Sequence, residues 1–145
     1  MNDTARIIPI PPHLIGEMWP HVAPHLMKGL AKATDLTLRQ VVDDLVNGTD
    51  QLWCVIDRER VLAAFLTAIY IDEDRNERFL GLYGLGGTDF KLWGHMLDAR
   101  ISQAALAAGC ARIRFAGREA WSRVFPQYAI TGHRGDEAIY ERAVQ

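Results

Sequence analysis

Leu14, Met18, Val22, Leu26 and Leu30 recur at every fourth position, which sets them along one stripe of a helix. Pro20 and Pro24 fall inside the same stretch. Each proline removes a backbone hydrogen bond and crowds the preceding turn, so the pattern predicts a kinked or two-part helix. Residues 6–10, ahead of it, read as a short edge strand closed by Pro9, Pro11 and Pro12. Behind it, Thr37 is placed to cap a second helix with Leu38, Val41, Val42, Leu45 and Val46 on its apolar face, and Asn47-Gly48 supplies a stop.

The period then changes. Residues 51–57 and 61–71 are rich in β-branched, aromatic and other apolar side chains and are joined by the short polar Arg58-Glu59-Arg60, which predicts a hairpin. The second of these strands is almost continuously apolar, as expected of a central strand covered on both faces. A charged turn over 72–77 leads into a strand over 78–85 that ends in glycine. Residues 90–108 form the strongest helix, with Leu92, Met96, Ala99, Ile101, Ala104, Ala105 and Ala108 as its apolar face and Gly109 as its stop. A half-buried strand over 110–116 turns Ile113 and Phe115 inward, with Arg112 and Arg114 outward. A short helix over 119–125 and a last strand over 138–144 complete the order β-αα-βββ-α-β-α-β, an α/β (α+β) class with helix 90–108 packed across a mixed sheet.

Composition narrows the picture further. The 145 residues are 49% hydrophobic and 23% charged, enough apolar material for one core, and a single domain over 1–145 is expected. No apolar run approaches the ~20 residues of a membrane helix, and the first residues lack a signal-peptide pattern, so the reading is cytoplasmic with no membrane partner. Cys54 and Cys110 lie far apart in apolar segments and read as buried thiols. The formal net charge of −2 and pI near 6.2 offer no general attraction to nucleic acid. The tail is mildly basic, and Arg118 and Arg123 are candidates to face an anion, set against the plainer reading of a solvated surface.

A three-stranded meander that feeds a long helix through Gly81-Leu82-Tyr83-Gly84-Leu85-Gly86-Gly87-Thr88-Asp89 resembles the GNAT superfamily of acyl-CoA N-acyltransferases. The resemblance implies a mostly antiparallel sheet flanked by helices. It also implies an acetyl-CoA cofactor and an amine acceptor, either a small molecule or a protein. The family signature is Gln/Arg-x-x-Gly-x-Gly/Ala; Gly84 and Gly86 match its glycines, whereas Gly81 stands at the Gln/Arg position and Asp89 brings a carboxylate to the helix start. Backbone amides at a helix start hold phosphate, and glycine lets the chain approach it, so the implied cofactor residues are Leu82, Tyr83, Gly84, Gly86, Gly87 and Thr88. In the family a tyrosine protonates the departing thiolate. Phe125 stands at that position, and Tyr128 is the nearest substitute for the catalytic acid. Gly117-Arg118-Glu119-Ala120-Trp121-Ser122-Arg123 also looks like a divergent phage or prophage branch of the fold, which would make a virion-associated location compatible.

Other constellations are weaker. Glu17, His21 and His25 have the spacing of a metal clip, but the two prolines and the lack of a further ligand favour ordinary surface histidines, and no metal is expected. Ser122 has no nucleophile elbow around it. The four tryptophans lack a basic stripe beside them and read as core or as contacts for self-association. Two functions therefore compete: an N-acetyltransferase with water or Glu77 as base, and a non-catalytic interaction or structural protein of phage or prophage origin.

Overall fold

The computed structural model describes residues 4–31 and 37–144. Seven strands form one sheet in the order β1-β2-β3-β4-β5-β7-β6. The strands are β1 (Ala5–Pro9), β2 (Asp50–Asp57), β3 (Arg60–Asp72), β4 (Glu77–Gly87), β5 (Arg112–Gly117), β6 (Ala129–Arg134) and β7 (Glu137–Ala143). The helices are α1 (Ile15–Leu30), preceded by a 3-10 turn over Pro12–Leu14, α2 (Leu38–Val46), α3 (Phe90–Ala107) and α4 (Trp121–Val124). The sheet is mixed and mostly antiparallel: β1–β2, β2–β3, β5–β7 and β6–β7 run antiparallel, and β4–β5 runs parallel. β6 is absent from the sequence-based order.

The chain divides into two compact units. The first takes the described residues up to Ala68 together with Tyr83–Arg100. Its core is the cluster Ile10, Val22, Leu26, Leu30, Val41, Leu45, Leu52, Cys54, Ala64 and Leu66, against which Tyr83 packs. α1 is one continuous helix, so of the kinked or two-part element expected, the two-part form does not occur. Pro20 and Pro24 lie four apart on its exposed side, where water can reach the carbonyls they leave unpaired, while Val22, Leu26 and Leu30 face inward. α2 opens on a full capping box. The Thr37 side chain accepts from the Gln40 amide at 3.2 Å, and the Gln40 side chain accepts from the Thr37 amide at 3.0 Å. Both α2 and α3 close in Schellman turns, with Thr49 N–H donating to Asp44 O and Cys110 N–H to Ala105 O.

The second unit is Ile69–Leu82 with the residues from Ile101 onward. One side of its strands carries an aromatic cluster in which Phe115 stacks on Tyr140 at 4.8 Å and meets Tyr128 edge-on at 5.1 Å. The other side carries Glu141, only 3% exposed. Glu141 accepts from Arg75 at 2.8 Å, from Arg114 at 2.7 and 2.9 Å, and from Thr131 at 3.0 Å. Burial alone would raise its pKa, but the hydrogen bonds from Arg75, Arg114 and Thr131, with the charge of Arg114, prevail and hold it below the usual carboxylate range. The Arg114 guanidinium also lies 4.3 Å from the centre of the Phe79 ring, which gives its apolar face a partner.

Two other expectations need correction. β3 is buried on both faces only over 62–67, and its far end exposes Ile69, Tyr70 and Ile71. The buried stripe of α3 is Trp93, Leu97, Ile101 and Ala105; Ile101 and Ala105 were expected there, whereas Leu92 and Ala99 are exposed. A Trp at Trp93 sets the rotation of the helix because its ring is the largest apolar surface there to bury.

Candidate functional site

β4 changes side at its end. Tyr83 packs against the α1–α2 core, and a Cβ built on the next residue, Gly84, would meet Leu66 at 3.3 Å and Leu30 at 3.4 Å in that same core. Consecutive residues on one side of a strand mark a β-bulge, and Gly84 has the positive φ of 68° that such a bulge requires of glycine. The parallel ladder between β4 and β5 runs from the Phe79–Arg112 pair to the Leu82–Phe115 pair, immediately before the bulge. The bulge could not be read from the sequence, although its glycine was singled out.

The glycines of this segment are packed against protein backbone. A Cβ on Gly86 would lie 2.0 Å from the carbonyl oxygen of His25, and one on Gly29, across in α1, would lie 2.3 Å from that of Gly84. A Cβ on Gly87 would lie 2.3 Å from the Ala63 side chain. Helix α1 thus rests directly on β4, a contact for which Gly29 had given no sequence signal.

The turn into α3 is braced in the same way. Thr88 N–H donates to Leu62 O at 2.8 Å, and the Trp93 indole donates to Thr88 O at 2.9 Å. Asp89 adopts a left-handed φ of 56°, and Arg60 stands 3.9 Å from its carboxylate with both side chains well exposed. Phe90 lies over Gly94, where a Cβ would come within 2.5 Å of its ring. Of the six implied cofactor residues, the structure gathers Tyr83, Gly84, Gly86, Gly87 and Thr88 along this strand end, with Leu82 at the last paired position.

The remaining catalytic and anion candidates belong to the second unit. Tyr128 is buried in the aromatic cluster, with the Arg142 guanidinium 5.5 Å from its ring centre. Phe125 is buried beside it, 5.7 Å from Trp121 and 6.0 Å from Phe115. Glu77 is held by Arg112 at 3.1 Å and Arg75 at 3.4 Å. The side chains of Arg118 and Arg123 are exposed, and the Arg118 carbonyl accepts from the Tyr140 hydroxyl at 2.6 Å.

His25 bonds the Val61 carbonyl through Nε2 at 3.0 Å, which makes Nε2 the donor and leaves Nδ1 buried without a partner. Glu17 and His21 are exposed, and among the described residues no group of three or more His, Cys, Asp or Glu side chains is placed to hold a metal ion. Cys54 and Cys110 are free and buried, and burial pushes the Cys54 thiol up to about 11, away from nucleophilic use at neutral pH. Among the described residues, no helix is long and apolar enough to cross a membrane.

No family model and no curated protein matches the sequence. Solved structures do match over nearly the whole chain. An IAA acetyltransferase from Bacillus cereus is similar with a TM-score of 0.68 and 10% identity, covering 96% of this chain and 99% of its own. An acetyltransferase from Streptococcus agalactiae gives 0.60 and 15% identity over 97% and 98%. A PaiA N-acetyltransferase from Thermoplasma acidophilum, solved in complex with coenzyme A, gives 0.60 and 10% identity over 96% and 98%. The chain therefore has the GNAT acetyltransferase fold.

Proposed function

We propose that the protein is an N-acyltransferase that takes its acyl group from a pantetheine thioester such as acetyl-CoA and delivers it to an amine. The observation that carries this reading is the Gly84 bulge, which follows the last β4–β5 pair in a fold shared with acetyltransferases. A bulge takes one residue out of the regular ladder, and a backbone N–H released in this way can receive a thioester carbonyl. The reaction needs no covalent nucleophile. The amine nitrogen bonds to the carbonyl carbon, the carbon–sulfur bond breaks, the sulfur leaves as thiolate, and the amine's proton passes to water. Glu77 is engaged by Arg75 and Arg112, which favours water as the base. Tyr128 and Phe125 are both buried aromatics, so the departing thiolate is assigned no phenol from either.

The test is release of free thiol from acetyl-CoA and from S-acetylpantetheine in the presence of a panel of primary amines. Amine-dependent release supports the reading, and its absence from every combination, with neither thioester bound, sinks it. A second reading, a non-catalytic interaction module, is favoured by the packed glycines, the engaged Thr88 amide and Asp89. The structural neighbours give no support to the phage-type resemblance of Gly117–Arg123.

A further inference from the structure

The turn between β4 and α3 does not fit a diphosphate. A diphosphate seat at a helix start needs amides that are free, space left by glycine, and no competing anion. Here Thr88 N–H is bonded to Leu62 O at 2.8 Å. The directions in which Gly86 and Gly87 would leave room are filled by the His25 carbonyl and by Ala63. Asp89 presents a carboxylate at the first turn of α3, with Arg60 too distant and too exposed to neutralise it fully. The Phe90 ring, in edge-on contact with Trp93 at 4.9 Å, fills the space that Gly94 would have left beside the start of α3. The bulge at Gly84 is built from none of these groups.

From this we infer that the acyl donor is recognised by its thioester and pantetheine arm alone, with no diphosphate held at the start of α3. The substrate class is thus a pantetheine thioester whatever its far end carries, and the nucleotide of CoA makes no contribution to binding. The inference rests on the acyl-transfer reading and narrows it.

The experiment is isothermal titration of the full chain with acetyl-CoA and with S-acetylpantetheine, each repeated with adenosine 3′,5′-bisphosphate present. Two charge-assisted hydrogen bonds to a seated diphosphate are worth about a hundredfold in affinity, so a true seat is easily seen. The expected result is that the two thioesters bind within about fivefold of each other and that the bisphosphate displaces neither. A larger preference for acetyl-CoA, or displacement by the bisphosphate, overturns the inference while leaving acyl transfer in place. Binding of neither thioester removes both together.

Discussion

Asp50 starts β2 with its Oδ2 buried and without a hydrogen-bond partner. Burial, and then the charge of Asp44, push its carboxyl up from the ordinary 3.8 to about 6. A carboxyl raised in the folded state contributes stability below its unfolded pKa, and that contribution is lost as pH rises through the folded one. Asp50→Asn is therefore expected to match wild type near pH 3.5 and to exceed it above pH 6. The gain is about 1–2 kcal/mol once partial solvent screening is allowed for. Urea melts at both pH values check this, and equal stability at pH 7 refutes it.

Phe125 offers a second test, because a tyrosine hydroxyl on its buried ring costs about 1–3 kcal/mol if unsatisfied. Phe125→Tyr should lower the melting temperature and leave thiol release no faster; faster release at unchanged stability would place the ring beside the reacting sulfur. The glycines show where reading from residues stopped. Gly84, Gly86 and Gly87 are visible in the sequence as places of close approach, but glycine permits approach to a ligand and to a neighbouring backbone alike. In the folded chain the neighbours on the Cβ side are the His25 carbonyl at Gly86 and Ala63 at Gly87, which no local pattern shows.

At the scale of elements, most were legible because local chemistry and burial agree. α2 is the clearest instance: Thr37 and Gln40 form the box, Val41 and Leu45 are buried, and the helix ends where Asn47-Gly48 foretold. Removing the cap with Thr37→Ala should cost about 1 kcal/mol and lower the melting temperature by about 2–4 °C. An unchanged melting curve would mean that Gln40 alone holds the helix start. β6 was missed for the opposite reason. Its residues Ala129–Arg134 are almost all exposed on both faces, so no apolar alternation marks them, and Gly132 lies next to a register shift. Its pairing with β7 and the bond from Thr131 to Glu141 hold it in place, both long-range facts that a local pattern cannot carry. α3 was found with nearly correct ends but rotated, since its many alanines give several stripes of similar hydrophobicity and Trp93 chooses among them.

For the molecule as a whole, order of elements was enough to reach the fold, whereas the defining feature of the proposed site, the bulge, is a backbone event. A ligand that binds only the folded chain stabilises it by mass action, by about 2.7 kcal/mol at a hundred times Kd. In a chain of 145 residues that amounts to a rise of about 5–10 °C in Tm. S-acetylpantetheine and acetyl-CoA should each produce such a rise at matched multiples of Kd, while adenosine 3′,5′-bisphosphate should produce none. The comparison separates the readings without requiring the acceptor amine. A rise with either thioester keeps the chain among acyl-transfer proteins even if every amine tried is inert, because the donor site is then functional and only the acceptor is missing. A flat response to both, measured up to millimolar concentrations, leaves the Gly84 bulge as inherited architecture and makes the interaction module the better account of packed glycines, an engaged Thr88 amide and a carboxylate at Asp89.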